Sequence, residues 1–99
     1  MKAKYAFSAK MWRSSAGAGW FFLTLPTAQT MPIKTRALGF MKSFGSLRIV
    51  ARIGKTVWST SIFFDIKAGA FVLPVKADVR RKESLALDDT VKCLIEFET

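Results

Sequence analysis

The chain has 99 residues, 51% of them hydrophobic and 13% aromatic, with a formal charge of +9 from 16 Lys and Arg against 7 Asp and Glu. A chain of this length and composition predicts one domain, residues 1–99, with a single core, far from the composition of disordered proteins. There is no His, so the commonest general base and metal ligand is missing, and the lone Cys93 has no partner for an internal disulfide.

The excess of positive charge attracts polyanions, whether nucleic acid or a membrane surface. The alternative is a solvated basic surface with no specific partner. Lys2, Lys4, Lys10 and Arg13 precede an apolar run at residues 16–25, an arrangement that superficially resembles a signal peptide. Tyr5, Phe7, Met11 and Trp12 interrupt the basic region, no small-x-small site follows Leu25, and the run is too short to span a bilayer. The expectation is a soluble, cytoplasmic protein without a transmembrane segment.

Residues 2–13 alternate, with Ala3, Tyr5, Phe7, Ala9 and Met11 on one face, which predicts a strand with one side in a core. Ser14-Ser15-Ala16-Gly17 supplies a turn, and residues 19–25 a second strand, apolar on both faces, so that the two form a hairpin. Pro26 ends that strand because it offers no N–H to a ladder. A short helix is expected within residues 27–39, with Thr30 as N-cap, Pro32 in the first turn and Gly39 as C-cap. Residues 40–45 read as a loop.

Residues 47–53 alternate again, with Leu47, Ile49, Ala51 and Ile53 opposite Arg48, Val50 and Arg52. Gly54-Lys55 fits a type II′ hairpin turn. The return strand, residues 56–64, sets Trp58, Thr60 and Ile62 against Val57, Ser59, Ser61 and Phe63. A turn at residues 65–69 leads to a strand at 70–75 stopped by Pro74, a basic helix at 77–85, a turn at Asp88-Asp89 and a last strand at 90–98. There Cys93 shares a face with Val91, Ile95 and Phe97, as a buried and inert thiol does. Both halves run strand, Leu-Pro, helix, strand, and six strands with two short helices suggest a pseudo-symmetric β-barrel capped by helices.

Several motifs carry a family resemblance. Trp20-x-Phe22-x-x-Leu25-Pro26, Ile53-Gly54-x-Thr56-x-Trp58-x-Thr60-Ser61-x-Phe63, Phe71-x-Leu73-Pro74-x-Lys76-x-x-Val79-Arg80 and Asp89-x-Val91 together resemble the bacterial family known as domain of unknown function 1905. The likeness runs from Tyr5 to Phe97. It implies an all-β fold with short helices, a six-stranded double-split β-barrel with internal pseudo-symmetry, related to the swapped-hairpin DNA-binding proteins of the AbrB and MazE type. Leu73-Pro74, Val79-Arg80, Leu85-x-Leu87, Asp88-Asp89 and Val91 resemble the swapped-hairpin pattern, with Asp88 where that pattern has Gly. One chain supplying both halves implies a monomer or weak homodimer. Some relatives add a C-terminal domain associated with bacteriocin resistance; the chain stops at Thr99 and is expected to lack it in cis.

No catalytic residue is identified. Among the acids only Asp88-Asp89 are adjacent, as a turn before a strand requires; no Cys/His cluster offers a metal site, no glycine-rich phosphate loop appears, and Ser61 has no His to activate it. No cofactor is implied. Two candidate surfaces remain. Trp58, Thr60 and Ser61, with Lys76 and Arg80 four apart at a helix start, would line a small-molecule pocket or enzyme site; alternatively Trp58 is core and the hydroxyls decorate a strand. Arg48, Arg52, Lys55, Lys76, Arg80, Arg81 and Lys82 would form a basic face for nucleic acid or another polyanion, or a scatter of solubilising charge. The expected function is a non-catalytic binding or interaction module of unknown ligand, with the pocket as the alternative.

Overall fold

In the computed structural model, residues 1–16, 19–42 and 45–99 are described. The expected turn at Ser14 to Gly17 and the loop at residues 40–45 lie partly outside them. Among the described residues the chain forms one antiparallel sheet of seven strands with two short helices. The strands are β1 (Lys2–Lys10), β2 (Trp12–Arg13), β3 (Phe21–Thr24), β4 (Ser46–Ile53), β5 (Thr56–Asp65), β6 (Ala70–Pro74) and β7 (Thr90–Glu98), in spatial order β1-β7-β4-β5-β6-β3-β2. Helix α1 (Thr30–Arg36) follows a 3-10 turn at Thr27–Gln29, and α2 (Ala77–Lys82) follows β6.

Seven strands appear where six are expected because the first one breaks. β1 and β2 lie at opposite edges of the sheet yet are separated in the chain only by Met11. The sheet therefore curls until both edges are served by one chain segment. Met11 is fully enclosed; its N–H donates to the Asp89 carbonyl and its carbonyl accepts from the Asp88 N–H, each at 2.9 Å. Asp88 reaches this point at φ 71, a left-handed conformation that Asp tolerates better than most residues. The expected hairpin between the first two strands is accordingly reduced to two pairs, Trp12↔Phe22 and Arg13↔Phe21, while β1 pairs with β7 from Lys2↔Glu98 to Lys10↔Thr90.

The internal echo is a topological fact. β3 pairs with β6, and β4 with β7, so each strand that flanks a helix in one half lies beside its counterpart in the other. The long strands play matching parts. β1 and β2 divide one segment between β7 and β3, and β5 divides its length between β4 and β6.

Alternation buries Leu47, Ile49, Ala51 and Ile53 on β4 and Val91, Cys93, Ile95 and Phe97 on β7, with Phe7, Trp58 and Leu73 in the same core. Phe22 is only half-buried; Leu23 takes the inner face of β3 and turns Phe22 outward. α1 contributes Ile33 and α2 Val79 to the core. Thr30 does not cap α1: it lies inside the helix, and its hydroxyl donates to the Gly69 carbonyl at 3.0 Å. α2 ends at Lys82, short of Leu85, because Ser84 adopts φ 54 and turns Leu85 back against the core. At the β4–β5 turn, Ile53 pairs with Thr56 and Gly54 takes φ +59, as a II′ turn demands.

Candidate ligand cleft beside the second helix

β5 pairs with β4 along residues 56–63 but with β6 only through residues 63–65. Beyond that point β5 and β6 part, and Pro74, without an N–H, ends β6. A cleft of about 430 Å³ opens in the split, between Trp58, Ser59 and Thr60 on one side and Pro74 to Ala77 on the other. Trp20 and Phe21, where the chain enters β3, form a third wall, and Arg80 of α2 a fourth. The volume is that of a small-ligand site.

The corresponding split beside α1 is bridged: Gln29, at the entry to α1, donates from Nε2 to the Ala6 carbonyl on β1 at 3.0 Å. Gln29 stands four residues after Leu25, and four residues after Leu73 stands Ala77, whose methyl lines the open cleft.

Lys76 is extended at the N-cap of α2 and exposed at the cleft wall. Arg80, one turn later, is half-buried and held in place. Its Nε donates to the Val75 carbonyl at 3.2 Å, and its guanidinium carbon lies 3.9 Å from the centroid of the Phe21 ring. The Val75 N–H in turn donates to the Phe21 carbonyl at 2.9 Å, so backbone and cation are fixed by the same two residues. Lys76 and Arg80 are the only charged groups lining the cleft among the described residues, and no carboxylate faces it. The cleft thus offers aromatic walls, the hydroxyl of Thr60 and two cations.

Of the sequence-selected pocket residues, the fold brings together Trp58, Thr60, Lys76 and Arg80. Ser61 lies on the opposite face of β5, paired with Arg48 of β4. Trp20, Phe21 and Ser59 were not singled out as site residues. Trp20 and Phe21 belong to a strand apolar on both faces, and no sequence spacing brings that strand against a helix some fifty positions on.

The basic residues divide. Arg48 and Arg52 are exposed on the outer face of β4, with Val50 between them paired with Glu96 of β7. Lys2, Lys4 and Lys92 border this face, interrupted by Glu96 and Glu98. Lys55 is exposed at the hairpin turn. Arg81 and Lys82 flank Asp78 at 2.9 and 3.2 Å, and hydrogen bonding from Lys82 first, with the charges of both, holds its carboxyl below the ordinary value. Arg80 alone of the three turns into the cleft.

Cys93 is buried, and loss of solvation pushes its thiol up to about 12. Among the described residues no group of three His, Cys, Asp or Glu is arranged to hold a metal ion, and no helix is long and apolar enough to cross a membrane.

A small, mostly β domain with a cationic, aromatic cleft where two of its strands part is the class that these features define. The chain belongs to the family described as Domain of unknown function (DUF1905), whose pattern matches residues 7–95. No curated protein matches it.

Proposed function

We propose that the chain is a non-catalytic binding module that takes a small anionic ligand in the cleft between β5 and α2. The observation that carries this reading is the placement of Arg80, braced on Phe21 at 3.9 Å and accompanied by Lys76, in a concavity that no carboxylate lines. A guanidinium fixed beforehand loses little freedom on binding, and its planar fork suits carboxylates and phosphates. The non-catalytic part is supported by the lining among the described residues, whose ionisable groups are Lys76 and Arg80, two cations suited to holding an anion. The folded unit is one chain, a reading supported by both halves of the pseudo-symmetric pair coming from the same sequence. Calorimetry with ribose 5-phosphate tests the anion site: wild type binds, and Lys76→Gln/Arg80→Gln does not. Equal binding by both proteins removes the cleft from consideration.

A second reading has its own support in the exposed pair Arg48 and Arg52 with Lys2, Lys4 and Lys92 around it. This face would hold polyanions without reading sequence, with affinity falling steeply as salt rises. A salt titration with duplex DNA separates it from the cleft. Arg48→Glu/Arg52→Glu loses binding if the face is the contact, and an unchanged salt slope rules the face out.

A further inference from the structure

Three aromatic side chains stand in a row beside the cleft. The Trp12 and Phe22 rings, a cross-strand pair of β2 and β3, are stacked with centroids 4.9 Å apart and planes 28° apart. Phe22 also stacks with Trp20, at 6.1 Å and 17°. Trp12 is anchored by its indole N–H, which donates to the Thr24 hydroxyl at 2.8 Å. Phe22 is therefore stacked with two indoles. Among the described aromatic rings Trp20 stacks with Phe22 alone, is 57% exposed, and is the member of the row that also lines the cleft.

An indole stacked on one ring and more than half exposed, at the lip of a concavity, has area left for a further ring. A planar ring laid on Trp20 from the cleft side would be the row's fourth member, and aromatic rings gain from such offset stacking beyond the area they cover. The same concavity holds the fixed guanidinium of Arg80. Its Nε is committed to Val75, while no described residue accepts a hydrogen bond from its terminal nitrogens, which form the fork that grips an anion. A purely apolar ligand would leave Arg80 and Lys76 without a counter-charge, and a neutral sugar would do the same. A ring and an anion on one short linker satisfy both walls.

We propose that the cleft recognises a nucleotide unit, its base stacked on Trp20 as the fourth ring of the Trp12–Phe22–Trp20 row and its phosphate held by Arg80 and Lys76. This rests on the anion-cleft reading above and adds the ring to it. The shared chemistry is base, pentose and phosphate, whether free or as one unit of a single strand.

The test compares AMP with ribose 5-phosphate, which keeps the phosphate and omits the base, by calorimetry on wild type, Trp20→Ala and Arg80→Gln. Trp20 is exposed, so its removal leaves the core intact, and matched melting curves verify this. Wild type is expected to bind AMP at least about tenfold more tightly than ribose 5-phosphate, toward the low end of what a base gains on an aromatic platform. Trp20→Ala should erase that difference without changing ribose 5-phosphate, whereas Arg80→Gln should weaken both. A short oligoadenylate tells the sources apart: tighter binding than AMP places the base within a strand, and equal or weaker binding identifies a free nucleotide. Equal affinity of wild type for AMP and ribose 5-phosphate overturns the ring proposal and leaves the anion site standing. Binding of neither overturns both.

Discussion

The Arg80 guanidinium rests on the face of Phe21, 3.9 Å from the ring centroid, and so joins the start of β3 to α2 across the mouth of the cleft. Phe21→Leu keeps an apolar side chain there and removes the π face. Because the pair is half-exposed, stability should fall by only about 0.5–1 kcal/mol. Affinity for ribose 5-phosphate should fall several-fold, since the guanidinium must then be ordered on binding. Urea unfolding and calorimetry on the same samples check both. A large stability loss with unchanged affinity would make Phe21 a packing residue and nothing more.

The other end of α2 is tied down independently. The Thr56 hydroxyl donates to Glu83 Oε2 at 2.7 Å, and the Glu83 carboxylate lies over Gly54, where an added Cβ would meet it. Gly54→Ala is doubly penalised, by φ +59 and by that carboxylate, and should cost about 1–3 kcal/mol. Thr56→Val should cost about 1 kcal/mol through loss of the hydrogen bond. Chemical denaturation of the two single variants and the double variant measures this. Sub-additive costs are expected, because both changes disturb the same carboxylate.

Truncating a buried side chain should cost more than truncating a half-buried ring. Leu73→Ala should cost about 2–5 kcal/mol and Trp58→Ala about 3–5 kcal/mol, whereas half-buried Phe22→Ala should fall below that range. Equilibrium unfolding gives the order directly, and a Phe22 loss equal to that of Trp58 would contradict the outward placement of Phe22.

That ranking also marks how far sequence reasoning reached. The buried faces of β4 and β7 were legible because a period of two with one apolar side admits a single orientation. Phe22 and Leu23 were not separable, since β3 is apolar on both faces and alternation has nothing to select. Strand pairing was illegible for a different reason. The pattern of residues 2–13 says which side faces the core and nothing about which neighbour it meets, so the change of partner at Met11 stayed hidden. Thr30 is a residue type that caps helices by accepting from a backbone N–H, but here its hydroxyl donates to the Gly69 carbonyl instead. Lys76 and Arg80 were found from their spacing of four on a helix. Ser61 was grouped with Trp58 and Thr60 by proximity in sequence, although an odd spacing on a strand sends it to the other face.

Cys93 links the core to pH. Burial pushes its thiol from 9.0 up to about 12, so the folded state favours the protonated form. With the folded value above the unfolded one, its contribution to stability is complete below about pH 9 and declines as pH rises toward 12. The difference in stability between wild type and Cys93→Ala should therefore be flat up to about pH 9 and shrink above it. Alkylation of the native protein should be slow at neutral pH and proceed on unfolding.

The most direct test of the cleft as the ligand site uses the three indole N–H signals of Trp12, Trp20 and Trp58 in a proton–nitrogen NMR titration with AMP. Trp20 and Trp58 line the cleft, whereas Trp12 is two rings away with its N–H committed to Thr24. The account predicts that the Trp20 and Trp58 signals move together along one saturating curve while Trp12 changes least. Saturating shifts confined to the outer face around Arg48 and Arg52, with the Trp20 and Trp58 indoles unmoved, would contradict it.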